Sequence, residues 1–91
     1  MGWEAIQMLM DRALPDEDLK RIKKIIIGID GVKGVHELRT RISGAVPIIQ
    51  FHMDVQGDLS VYLAHDIGEN VKNALLEWMP DADITFHIDP R

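Results

Sequence analysis

VHELRTRISGAVPIIQFHMDV, residues 35–55, is the stretch whose pattern decides the fold. Polar and apolar residues alternate through 35–42 and again through 48–55. A period of two marks a strand buried on one face, because successive side chains leave a strand on opposite sides. Ser43-Gly44 separates the two runs, so the stretch reads as a β-hairpin. In its second strand Ile49, Phe51, Met53 and Val55 share one face, while Gln50, His52 and Asp54 share the other. In its first strand the same alternation sets His36 with Leu38 and Ile42, away from the polar face, as a core or edge histidine.

Upstream of the hairpin the period lengthens. Leu19, Ile22, Ile26 and Ile29 step by three or four, the spacing of an amphipathic helix, and Lys20, Arg21, Lys23 and Lys24 fill its solvent side. Asp16, Glu17 and Asp18 place negative charge at its start, where unpaired N–H groups point; Asp30-Gly31 and Gly34 close it and turn the chain. Before it, residues 2–14 read as a short helix on Trp3, Ile6, Met10 and Ala13, ended by Pro15. Downstream, Ala64, Ile67, Val71, Leu75 and Trp78 form the buried stripe of a helix over residues 60–78, capped by Asp58 or Ser60, with Pro80 just beyond it. A last strand over residues 83–89 turns Ile84, Phe86 and Ile88 inward and Thr85, His87 and Asp89 outward. The expected fold is α+β: an αββαβ, ferredoxin-like sandwich lacking one strand, with an extra short N-terminal helix. Two helices on one face of a three-stranded sheet leave the other face open, and that face is where a partner is expected.

Composition narrows the chemistry. Ninety-one residues make one small domain, near the size at which a single core becomes sufficient. Fifteen acidic against ten basic residues give a net charge of −5, which argues against a phosphate backbone and so against nucleic acid as a partner. With no cysteine, disulfides, thiolate metal sites and cysteine nucleophiles are all excluded. No stretch approaches the roughly 18–20 apolar residues that cross a bilayer. The first residues lack the basic start of a signal peptide, and Glu4 and Asp11 interrupt their apolar run. Ser43, Ser60 and Thr40 form no nucleophile–base arrangement, so neither an enzyme nor a small-molecule substrate is expected.

Four histidines in so short a chain are the feature that calls for chemistry. His87 and Asp89, two apart on a strand, project from one face of the sheet, and His52 sits at a polar position able to reach it. His65 lies about 120° around its helix from the apolar stripe, one turn before Glu69. Imidazole and carboxylate suit Zn²⁺ and other late first-row divalent ions, and such a shell needs no cysteine. Against this, exposed strand histidines are ordinarily solvated polar residues, and positions 36, 52, 65 and 87 match no local metal motif. The residues alone leave metal binding open. Gly31-Val32-Lys33-Gly34 spells an RNA-clamping G-x-x-G, but it joins a helix to a strand on an acidic chain. Arg39 and Arg41 share a strand face, ready for a partner's carboxylates or for solvent, and the methionines read as packing.

With these residues in view, the segments GWEAIQMLMDRALPDED, GVHELRTRISG, IIQFHMDV, AHDIGENV and PDADITFHIDP resemble the cytoplasmic C-terminal domain of cation diffusion facilitators. The likeness runs over nearly the whole chain and is strongest to the YiiP-type bacterial zinc and ferrous-iron exporters; the G-V-H-E-L-R-T-R run and the terminal H-x-D-P are its specific parts. The resemblance implies a metallochaperone-like fold and a homodimer on the cytoplasmic face of the bacterial inner membrane, part of a cation:proton antiporter. It implies that His36, His52, His65, His87 and Asp89 hold a pair of zinc ions per protomer at the dimer interface, with Fe²⁺, Cd²⁺, Co²⁺ and Mn²⁺ as alternatives and Asp89 as the bridge. Asp11 falls on an aspartate that interlocks with a lysine of the transmembrane part, which this chain lacks. By the same resemblance residues 1–15 are a membrane-proximal helix and residues 16–91 the metal-binding dimerisation domain, an excised piece that transports nothing by itself. The competing expectations are a stand-alone metallochaperone-like protein and a metal-independent dimerisation module.

Overall fold

The computed structural model describes residues 13–91, so Asp11 and all but the end of the expected first helix lie outside the described residues. The elements run α1 (Asp16–Ile27), β1 (Gly34–Ser43), β2 (Val46–Val55), α2 (Val61–Trp78) and β3 (Asp83–Pro90). This is the expected α+β order, with shifts of one or two residues at most ends. Helix α1 stops before Ile29, because the Gly28 and Ile29 N–H groups close on Lys24 and Ile26 and end the last turn. At the start of α2 the cap is Ser60 rather than Asp58: its Oγ accepts from the Leu63 N–H at 3.1 Å, satisfying one of the helix's unpaired donors. Among the described residues no helix is long and apolar enough to cross a membrane.

The sheet has the order β1-β2-β3, with β2 central, antiparallel to β1 and parallel to β3. Ser43 pairs with Val46 across a two-residue turn, and Gly44 at φ +63° supplies the left-handed residue that such a turn requires. The inward face of β2, Ile49, Phe51, Met53 and Val55, is 0–2% exposed and meets Ile22 and Ile26 of α1 and Val71 and Leu75 of α2. No polar or charged side chain is buried among the described residues. Phe86 of β3 stacks on Phe51 with ring centroids 6.1 Å apart. A Cβ on Gly68 of α2 would stand 2.3 Å from the Phe86 ring, so only glycine lets the helix lie this close to the sheet. Among the described residues both helices cover one face and the other stays open.

One expectation about that open face fails, and the cause is local. His36 pairs with His52, but the next pair along is Arg39 with Gln50, three steps on β1 against two on β2. The extra residue is a β-bulge, and it contains Glu37 at φ +52°, a left-handed conformation uncommon for a side-chain-bearing residue. A bulge reverses the parity of the strand on one side of it. His36 therefore stands on the open face beside His52, and not with Leu38 and Ile42, which pack against the core.

Candidate metal centre

The register that builds the sheet also builds the site. On the open face His36, His52 and His87 occupy one row across the three strands, and Gly34, Asp54 and Asp89 occupy the next. The row is close-set: ring centroids are 5.2 Å apart for His36 and His52, and 4.8 Å apart for His52 and His87, which stack. Asp89 Oδ2 lies 3.0 Å from His36 Nε2 and 3.1 Å from His52 Nδ1. His36, His52 and Asp89 thus bring one ligand atom each to within 4.8 Å of one another, although they come from three strands and span 53 positions of chain.

This spacing suits a small cation. Zinc–nitrogen and zinc–oxygen bonds of about 2.0–2.2 Å at tetrahedral angles set neighbouring ligand atoms about 3.3–3.6 Å apart. Asp89 Oδ2 already lies close to that range from both nitrogens, whereas the three ligand atoms spread over as much as 4.8 Å, so the two imidazoles must close in by about an ångström, for which side chains 31–45% exposed leave room. Oxygen and imidazole nitrogen without thiolate match zinc and the neighbouring divalent ions, as the residue types alone suggested.

Two further carboxylates flank the row, and the sequence reasoning missed both as site residues. Glu37 Oε2 stands 3.0 Å from His52 Nε2. Asp54 Oδ1 stands 3.5 Å from His36 Nδ1, a looser contact. Each of these histidines is therefore bracketed by carboxylates on its two ring nitrogens. The signal was present: His52-Met53-Asp54 and His87-Ile88-Asp89 are two H-x-D triplets, and in the parallel β2/β3 pair they lie in exact register, His52 on His87 and Asp54 on Asp89.

His65 stands apart. It lies on α2, in the layer on the covered side of the sheet, with a 65% exposed side chain and its Nε2 3.6 Å from Glu69 Oε1. It borders a shallow hollow shared with Val55, Leu59, Ala64, Ile88 and Pro90 and does not join the His36–His52–Asp89 group. Arg39 and Arg41 lie on the open face toward the hairpin turn, as the alternation implied, so that face is basic at one end and acidic at the other.

Comparison with known proteins agrees with this architecture. The family model described as the cytoplasmic domain of cation efflux proteins matches residues 14–91. The cation-efflux pump FieF of Cronobacter sakazakii is 46% identical over 90 residues, which are 99% of this chain and 30% of that protein. The chain thus spans about a third of the length of the curated relatives it matches. Among solved structures, CzrB, described as a zinc transporter and seen in its zinc form, is 34% identical with a TM-score of 0.75 over 90% of this chain and 94% of its own. The MamM C-terminal domain, 25% identical, superposes with a TM-score of 0.77 over 84% of this chain and 98% of its own.

Proposed function

The chain belongs to the family of cation efflux protein cytoplasmic domains, and on that premise we propose that it is the metal-sensing dimerisation domain of a zinc efflux antiporter. In this reading residues 16–91 form the domain, and residues 1–15, with Asp11, connect it to the membrane part at the inner face of the bacterial cell membrane. The observation that carries the proposal is one oxygen, Asp89 Oδ2, set between His36 Nε2 and His52 Nδ1 at 3.0 and 3.1 Å. His87, stacked on His52, adds a third imidazole to the row. Together with the bridging capacity of a carboxylate, this donor set suits two divalent ions per protomer, zinc before Fe²⁺, Cd²⁺, Co²⁺ or Mn²⁺.

His65 belongs to the proposal through a second protomer. On its own chain it sits in the helix layer, so presentation to a cation on the open face falls to a partner in a homodimer. Two chains of −5 each repel one another, and divalent cations held between them relieve that repulsion. Zinc then favours the closed pair by the difference in its affinity for the closed and splayed forms, and no further. That difference is what biases the attached transporter.

Zinc titration of the purified chain, followed by calorimetry and small-angle scattering, tests the proposal. The expected result is saturable binding with compaction of the dimer, and loss of both in the double variant His87→Ala, Asp89→Ala. Identical scattering of wild type and double variant in zinc would sink it.

A further inference from the structure

Glu37 is the one side-chain-bearing residue among those described with a positive φ, and its carboxylate meets the outer nitrogen of a histidine whose inner nitrogen faces Asp89. Non-glycine residues hold a left-handed conformation only where the surroundings impose it, and such strain gathers at functional sites. A bulge of this kind is ordinarily built with glycine at that position. Here a glutamate occupies it, at a conformational cost that no burial offsets, since its side chain is 58% exposed.

The chemistry of the contact gives the residue a task. An ionised carboxylate only accepts hydrogen bonds, and a neutral imidazole carries a single N–H. His52 has carboxylates at both nitrogens, Glu37 at Nε2 and Asp89 at Nδ1, so the two compete for one proton. If the proton sits on Nδ1, it is directed at Asp89 and blocks the lone pair that faces the site. If it sits on Nε2, it is donated to Glu37, and the Nδ1 lone pair is free beside Asp89. Histidines that bind metals commonly give their other N–H to a carboxylate, which fixes tautomer and ring orientation.

We propose that Glu37 is a positioning residue that holds His52 in its Nε2–H tautomer and so keeps Nδ1 available for a divalent cation beside Asp89. The inference rests on the metal-binding reading above. The bulge performs two jobs with one inserted residue: it turns His36 onto the open face, and it aims a carboxylate at His52 from outside the row.

Glu37→Gly separates this role from a structural one, because glycine accepts the left-handed backbone freely and only the carboxylate is lost. The variant is expected to melt no lower than wild type. In the zinc-free protein near pH 8, long-range ¹H–¹⁵N correlation should show the His52 proton moving from Nε2 toward Nδ1. Zinc affinity measured by calorimetry should fall about tenfold or more at unchanged stoichiometry, the usual consequence of removing such an outer carboxylate. Glu37→Gln keeps an acceptor in place and should recover most of that loss. Unchanged tautomer and affinity in Glu37→Gly would overturn the assignment while leaving the metal reading intact. Loss of one bound ion would make Glu37 a ligand instead, and a Gln variant as weak as the Gly variant would exclude positioning by hydrogen bond. Failure of the wild type to bind zinc would remove the reading and the inference together.

Discussion

Phe51 and His52 are neighbours in the chain and belong to different parts of the molecule. Phe51 faces the helices, 1% exposed, in a layer where no polar side chain among the described residues is fully buried; His52 faces outward among two histidines and three carboxylates. The two faces of one sheet divide the work. The covered face supplies the burial that holds a small domain folded, at roughly 25 cal/mol for each square ångström of apolar surface removed from water. The open face carries exposed imidazole and carboxylate groups that contribute little to folding and whose lone pairs suit a cation. On the proposed reading, the difference makes stability and binding nearly separable, residue by residue.

Substitutions along β2 test that separation most severely. Phe51→Ala should cost about 3–5 kcal/mol in a denaturant melt, a large part of the stability of a domain this size. A loss below about 1 kcal/mol would mean that the covered face is not the source of stability. Zinc at a hundredfold excess over its dissociation constant should stabilise the wild type by about 2.7 kcal/mol, by mass action on the folded state alone. His52→Ala should abolish that increment while changing metal-free stability by less than about 1 kcal/mol, as an outward-facing substitution does. A large metal-free loss in this variant would break the comparison from the other side.

Two smaller effects sharpen it. Gly68→Ala improves intrinsic helix propensity by about 1 kcal/mol. It should nonetheless destabilise by about 1–3 kcal/mol, because the added methyl meets Phe86 and forces α2 off the sheet. A raised melting temperature would show that the helix can move away without loss. Glu37→Gly should do the reverse on the open face, gaining about 1 kcal/mol in folding from relief of the left-handed strain while weakening zinc. One glycine is kept for packing, and one is forgone for chemistry.

The legibility of the two faces in the sequence differs for the same reasons. Alternation assigned residues 49–55 of β2 and 84–89 of β3 to the faces they occupy, since no irregularity interrupts either strand. Helical spacing found the buried Ile22, Ile26, Val71 and Leu75. In β1 strict alternation misplaced His36, because a bulge adds one residue and nothing in Val-His-Glu-Leu announces it by composition: the residue in the left-handed conformation is glutamate, where glycine would have been the cue. The resemblance named His36 where periodicity argued against it. Asp54 and Glu37 were passed over because their relevance depends on which nitrogen of a neighbouring ring they meet.

By itself the sequence determined the period of the described elements and, outside the bulge of β1, their apolar faces, because hydrophobic residues must share a side to be buried together. It also determined the donor types: imidazole and carboxylate, with thiolate excluded. Only the tertiary structure decided that His36, His52 and Asp89 meet at one oxygen. Their meeting depends on the register of three strands and on a single inserted residue. Those are set by the packing of the whole sheet against its helices, and no local window of sequence contains them.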